Sequence, residues 1–278
     1  MKTSDNKIKR ILCPIDFSTT SLGGLEYAGR IAQVLQARLT IFYAPTSVEP
    51  GIAQLYEDQN DTAKGIRRQL HMETNRIESK FGVLSDACIE STVENSDLTI
   101  GEASASYDLT IVGTNGADNL YEHIFGTGTH HRLGLAKCPV LLVPPGCPAH
   151  IPHEIVYAFD PETNPQYLLT DLEGIAGPLK ARIRSLYIVP EPASGLVAQS
   201  QFPEAMIGVH DRWGFDWDMD PICSDEIVGA LDRYMKHHKN AILALSCHHR
   251  AVFEPFFQDS IIGEFSRLAE YPVLIFWH

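Results

Sequence analysis

Two stretches, LAKCPVLLV at residues 135–143 and LAEYPVLIF at residues 268–276, decide how this chain is read, because they lie over one another at a fixed offset of 133. Each is a short apolar run behind a proline, the pattern of a strand buried on both faces. Working outward, AILALS (241–246) answers to LTIVGT (109–114), and ARIRSLYIVP (181–190) answers to ARLTIFYAP (37–45). EIVYAFD (154–160) ends in aspartate as IKRILCPID (8–16) does, 144 positions earlier. A pattern that restarts in this way is an internal duplication.

Within each copy, strand and helix alternate. After the run that ends at Asp16, residues 18–35 carry Leu22, Leu25, Ala28, Ile31, Ala32 and Leu35 at helical spacing. Residues 37–45 read as a second strand, 61–80 as a long helix, 86–93 as a third strand, 95–105 as a helix, 109–114 as a fourth strand, 127–136 as a helix and 138–145 as a fifth strand. In the second copy, 227–237 reads as a helix. Such alternation predicts an α/β fold with parallel sheets covered by helices on both faces. PPGCPAHIPH (144–153) reads as the linker between two domains, 1–147 and 148–278, and the chain of 278 residues suits two cores of ordinary size.

Composition narrows the function. A formal net charge of −13 argues against gripping a phosphate backbone, an affinity that depends on Lys and Arg releasing counterions. No apolar run is long enough for a membrane span, and MKTSDNKIKR lacks the apolar core of a secretory signal, so the expected compartment is the cytoplasm, with neither nucleic acid nor membrane as partner. The six cysteines form no C-x-x-C pair and read as reduced, mostly buried thiols. His130-His131, His237-His238 and His248-His249 lack the spacing of a tetrahedral site, so no metal centre is expected. GFDWDMD (214–220) reads as a solvated loop rather than a hard-cation site.

The stretch with chemical content is GTNGADNLYEHIFGTG (113–128), with glycine at 113, 116 and 126, threonine at 127, and no lysine. In an open parallel sheet, ligands sit beyond the carboxyl ends of the strands where the winding reverses. Asp16 ends the first strand there and Gly113 the fourth. Glycines let a backbone come close to a ligand, and Gly126-Thr127-Gly128-Thr129 would open a helix with unpaired N–H groups and hydroxyls directed at an anion. Phosphate can then be held without lysine. Asp16 and Thr127 also suit plain turn and N-cap duties.

ILCPIDFSTTS, the G-x2-G-x9-G-[ST] spacing and CPVLLV together resemble a universal stress protein domain, over about 8–145 and, more weakly, 153–278. The resemblance implies Rossmann-like sheets of order 3-2-1-4-5, like those of adenine nucleotide alpha hydrolases. It also implies ATP or another adenine nucleotide, with or without Mg2+, in the first half. Pro14, Ile15 and Asp16 would meet the adenosine, Ala44 the adenine edge through its main chain, and Val112, Gly113, Gly116, Gly126, Thr127, Gly128 and Thr129 the phosphate path. Thr114 and Asn115 replace the small and basic residues often found there, so AMP and ADP stand beside ATP. The halves are expected to pair through their final strands as an intramolecular pseudo-dimer, with a homodimer of the whole chain and unidentified protein partners beyond it.

In the second half Ser246, His249 and Asp259 stand where the first has its three glycines, and a carboxylate beside phosphate is repelled. Asp160 and Ser260 keep the carboxylate of Asp16 and the hydroxyl of Thr127, and that half is expected to keep the fold and to lose the nucleotide site or change its ligand. The favoured function is a non-catalytic nucleotide-binding stress protein. A ligand-free dimeric scaffold and a slow ATP hydrolase, with His123 or His130 as its base, are the alternatives.

Overall fold

A computed structural model describes residues 8–43, 59–89, 103–114, 136–159, 165–189, 218–224, 226–247 and 270–277. Its first half runs β1 (Arg10–Ile15), α1 (Thr19–Leu35), β2 (Arg38–Tyr43), α2 (Gln59–Phe81), β3 (Ser85–Ile89), β4 (Leu109–Gly113) and β5 (Val140–Val143). The second runs β6 (Glu154–Phe159), α3 (Pro165–Leu179), β7 (Arg182–Val189), β8 (Asp218–Cys223), α4 (Ile227–His237), β9 (Ala241–Cys247) and β10 (Val273–Trp277). The ten strands form one sheet in the order β3-β2-β1-β4-β5-β10-β9-β6-β7-β8. Each half therefore has the order 3-2-1-4-5, with all its strand pairs parallel.

The halves meet where β5 and β10 pair antiparallel, Val140 opposite Ile275, Leu141 opposite Leu274 and Leu142 opposite Val273. At the offset of 133, Leu141 thus faces its own counterpart, and a pseudo-two-fold axis passes through that pair. A rotation about the sheet normal leaves α1 and α3 on the same face, where they touch. The linker runs beside α1: Arg30 Nε donates to the Ala149 carbonyl at 3.4 Å, and Pro152 is buried.

The duplication extends to the connections. α1 ends at Gln36 in the left-handed region (φ 54), and Lys180, 144 positions on, has the same φ of 54. Ala37 N donates to Ala32 O at 3.0 Å and Ala181 N to Ala176 O at 3.0 Å, so both helices close on the same cap. On one face of the sheet, Leu25, Ala28, Ile31 and Leu35 of α1 and Leu70 and Ile77 of α2 pack over Ile11, Cys13, Leu39 and Ile41. The same cluster continues under α3 with Leu172, Ile175 and Leu179. On the opposite face, Leu231 and Met235 of α4 cover Val156, Leu186 and Leu243.

Several expectations need correction. Residues 218–220, read as part of a loop, begin β8, an edge strand in which Asp218 lies opposite Arg184 and Pro221 opposite Tyr187. An edge strand tolerates proline and charge because one side of its ladder has no partner to satisfy. Of the helix expected over 95–105, the described residues are Ala103, which is helical, and Ser104 and Ala105, which belong to a 3₁₀ turn at Ser104–Ser106. The four cysteines described with side chains are free, with Cys13 and Cys138 buried, Cys147 part-buried and Cys88 exposed on β3. Burial pushes the Cys138 thiol up to about 11.

One polar network fixes α4 to the sheet. Glu154, opening β6, accepts from Arg184 Nε at 2.8 Å and pairs with His238 Nδ1 at 2.7 Å just beyond α4. The His238 ring stacks on Tyr234 at 4.2 Å. Burial would raise the Glu154 carboxyl, but the hydrogen bonds and charges of Arg184 and His238 outweigh it and hold the group low. A carboxylate depressed in the folded state contributes stability above its unfolded pKa, and that stability is lost as pH falls through the folded value. Urea unfolding of Glu154→Gln is therefore expected to show a loss of about 1–3 kcal/mol at neutral pH. Its gap to wild type should shrink below the usual carboxylate range; a gap that persists in acid would show that charge is not what Glu154 supplies.

Candidate functional site

Winding reverses between β1 and β4, which pair directly, Ile11 opposite Leu109 and Leu12 opposite Thr110. Asp108 secures this pair at its other end, where one carboxylate oxygen accepts from Lys9 N at 2.9 Å and Arg10 N at 2.8 Å. The carboxyl ends of β1 and β4 thereby frame one crevice, with Asp16 leaving one strand and Gly113 closing the other. This is the position at which an open α/β sheet takes a ligand.

The β1–α1 turn is built from short polar side chains. Asp16 Oδ1 accepts from Ser18 N at 2.9 Å, a turn that aspartate closes on its own backbone two residues ahead. Ser18 caps α1 by accepting from Ser21 N at 3.2 Å. Ser21 Oγ accepts from Asp16 N at 3.3 Å and donates to Ser18 O at 3.1 Å, so the fully buried Ser21 ties both sides of the turn together. Burial would raise the half-buried Asp16 carboxyl, yet hydrogen bonds to Ser18 and Ser21 hold it below the ordinary value. Asp16 is accordingly an ionised acceptor at the mouth of the crevice.

Gly113 has a packing duty in addition to any approach of a ligand. A Cβ there would overlap the Thr20 carbonyl, lying 2.8 Å from its carbon and 3.1 Å from Ser21 Cα. Facing it, a Cβ on Gly24 would lie 2.7 Å from Gly113 Cα. Two missing side chains let the first turns of α1 lie directly on the end of β4. Gly24 is not among the expected site residues; its signal is a glycine on the buried face of the helix, in line with Ala28 and Ile31. Neighbouring Gly23 has nothing within 4 Å.

The expected site residues divide three ways. Asp16 and Gly113 meet at the crevice. Pro14, Ile15 and Val112 are buried, Ile15 and Val112 within the core, which leaves their main chains to face a ligand. Ala44, Gly116, Gly126, Thr127, Gly128 and Thr129 lie outside the described residues, as do His123, His130, His131, His248, His249 and Asp259. Among the described residues no group of three His, Cys, Asp or Glu is placed to hold a metal ion. No described helix is long and apolar enough to cross a membrane.

In sequence, the second half differs at three of these positions. At the offsets of 144 and 133, Ser21 becomes Pro165, Gly24 becomes Leu168 and Gly113 becomes Ser246. Pro165 opens α3 and brings neither the hydroxyl nor the N–H that Ser21 uses. Ser246 Oγ is buried without a hydrogen-bond partner among the described residues, as is Ser185 Oγ on the same sheet face. The two halves share the fold and differ in the residues at these three positions.

Residues 7–144 match the family model described as the Universal stress protein family. Among solved structures, a universal stress protein from Archaeoglobus fulgidus DSM 4304 is similar at 14% identity and a TM-score of 0.69, over 96% of this chain and 97% of that one. A protein of unknown function from Pseudomonas aeruginosa PAO1 is similar at 18% identity and a TM-score of 0.58, over 98% of this chain and 93% of that one. At such identities the likeness is one of fold, and it runs through both halves. No curated protein sequence matches the chain significantly.

The glycine contact makes a graded prediction. Gly24→Ala and Gly113→Ala should each destabilise the protein by about 1–3 kcal/mol in chemical denaturation, because each pushes α1 off β4. Gly23→Ala, on the exposed side of the same helix, should be neutral or gain about 0.5–1 kcal/mol. Equal responses at 23 and 24 would refute the close packing.

Proposed function

Through residues 7–144 this chain belongs to the universal stress protein family, and on that premise we propose that its first half binds an adenine nucleotide and acts as a non-catalytic sensor or regulator. The observation that carries the reading is the crevice between β1 and β4, bounded by an ionised Asp16 and by Gly113. An ionised carboxylate accepts hydrogen bonds only, so Asp16 suits the ribose hydroxyls or the adenine amino group and would repel a phosphate. The phosphates therefore belong on the β4 side, along Gly113, Gly116, Gly126, Thr127, Gly128 and Thr129, where backbone amides can take the place of a lysine. The end of β2 near Ala44 would face the base. Pro14, Ile15 and Val112 would contribute main-chain atoms and the apolar floor.

In this reading residues 148–278 form a second domain that keeps the fold without the nucleotide. Ser246 replaces Gly113, and Asp259 stands where the first half has Gly126. Occupancy of the first half would then alter how the chain meets protein partners in the cytoplasm, as one copy or as a homodimer.

The test is to denature the purified protein, chromatograph what is released, and titrate ATP, ADP and AMP, with and without Mg2+, into wild type and Gly126→Asp. One adenine nucleotide per chain, lost in the variant, is the expected result. No release and no binding heat would overturn the assignment and favour a ligand-free scaffold; steady conversion of ATP to ADP, abolished by His130→Ala, would overturn the non-catalytic role.

A further inference from the structure

Phe17, between Asp16 and Ser18, has a φ of 64. For a bulky side chain this left-handed conformation costs on the order of 1–2 kcal/mol, and it persists only where the surroundings fix it. Here they do: the hydrogen bonds from Asp16 N to Ser21 Oγ and from Ser18 N to Asp16 Oδ1 hold the backbone on both sides of Phe17. Glycine would sit at this position without strain, so the phenyl ring calls for a reason.

The ring stacks on Tyr43, with centroids 5.2 Å apart and planes inclined at 30°. Tyr43 is the last residue of β2 and lies opposite Ile15, the last of β1. Both rings rest on the core beneath them and both are only half-buried. They form an aromatic ledge across the carboxyl ends of β1 and β2, bordering the crevice on the side away from β4. At the equivalent place in the second half stands Pro161, a residue type whose ring excludes positive φ.

We propose that the Phe17–Tyr43 ledge is the base-side wall of the pocket, against which the purine ring of the ligand stacks. The proposal rests on the nucleotide reading above and extends it. With phosphates on the β4 side, the base lies towards β2, where this ledge offers the aromatic surface, and stacking then selects purine nucleosides over sugar phosphates of equal charge. The strain at Phe17 is accounted for as a ring held in place before the ligand arrives.

The experiment titrates adenosine, AMP and ribose 5-phosphate into the full chain as wild type, Phe17→Gly and Tyr43→Leu. It also follows the fluorescence of 2-aminopurine riboside 5′-phosphate, which stacking quenches. Glycine relieves the backbone at 17 and leucine keeps an apolar residue at 43, and thermal melts check that both variants are folded. Wild type should bind adenosine and AMP well above ribose 5-phosphate and quench the probe. Each variant should bind AMP about 10- to 100-fold more weakly, the range that one lost base stack supplies, and lose the quenching. Folded variants that bind and quench like wild type would overturn the ledge and leave the nucleotide reading intact. A wild type that binds no adenine compound would overturn both.

Discussion

Everything in this molecule is arranged about three opposed residue pairs, Val140–Ile275, Leu141–Leu274 and Leu142–Val273. A five-stranded parallel sheet of order 3-2-1-4-5 has one edge made by its last strand, and β5 is an apolar run with every residue buried. Left open, such an edge would be a template for aggregation. Pairing it antiparallel with β10 removes the hazard in both halves and leaves as edges β3 and the acidic, proline-containing β8. The same pairing sets the two-fold relation that brings α1 and α3 together on one face. The linker has only to follow from the end of β5 to the start of β6.

Within that frame, helix placement and site placement are one problem in the first half. α1 can reach β4 only because Gly24 and Gly113 lack side chains. The contact brings the first turn of α1, with its cap at Ser18 and its buried Ser21, against the end of the strand at which the winding reverses. A site in this crevice thus depends on packing as much as on any group that would touch a ligand. In the second half Ser246 brings to the same place a buried hydroxyl that has no hydrogen-bond partner among the described residues.

Much of this was legible in the sequence, for identifiable reasons. The apolar runs ending at Asp16 and following Pro139 and Pro272 are short and bounded by prolines or turn residues, so they can be little else than buried strands. α1 was legible from Leu25, Ala28, Ile31 and Leu35, all of which prove buried. β8 was not, because Asp218, Asp220 and Pro221 carry the signals of a loop, and only the knowledge that β8 lies at an edge makes them compatible with a strand. Gly24 and Gly113 are 89 positions apart and nothing local announces that they touch. The Glu154–Arg184–His238 network was hidden in the same way, its members coming from two strands and a helix end. Asp16 was found as a crevice residue from its place after a strand, whereas its partners Ser18 and Ser21 are visible in sequence only as an N-cap spacing.

Joining two copies in one chain has a consequence that a dimer of identical chains cannot share. In a symmetric dimer each substitution appears twice, so a change that disables one site disables both. Here the residues of the β5–β10 seam and the αL caps at Gln36 and Lys180 have stayed equivalent, while the switch points have separated: Ser21 against Pro165, Gly24 against Leu168, Gly113 against Ser246. Packing at the seam needs only apolar residues of suitable size, which tolerates exchange between valine, leucine and isoleucine. The first-half contact of helix on strand needs two absent side chains and a serine at a fixed place, and tolerates almost none. A duplicated chain under a requirement for fold alone in one half would lose first the features that only the crevice needs. That is the pattern these residues show: the seam and the caps match between the halves, and the switch-point residues differ.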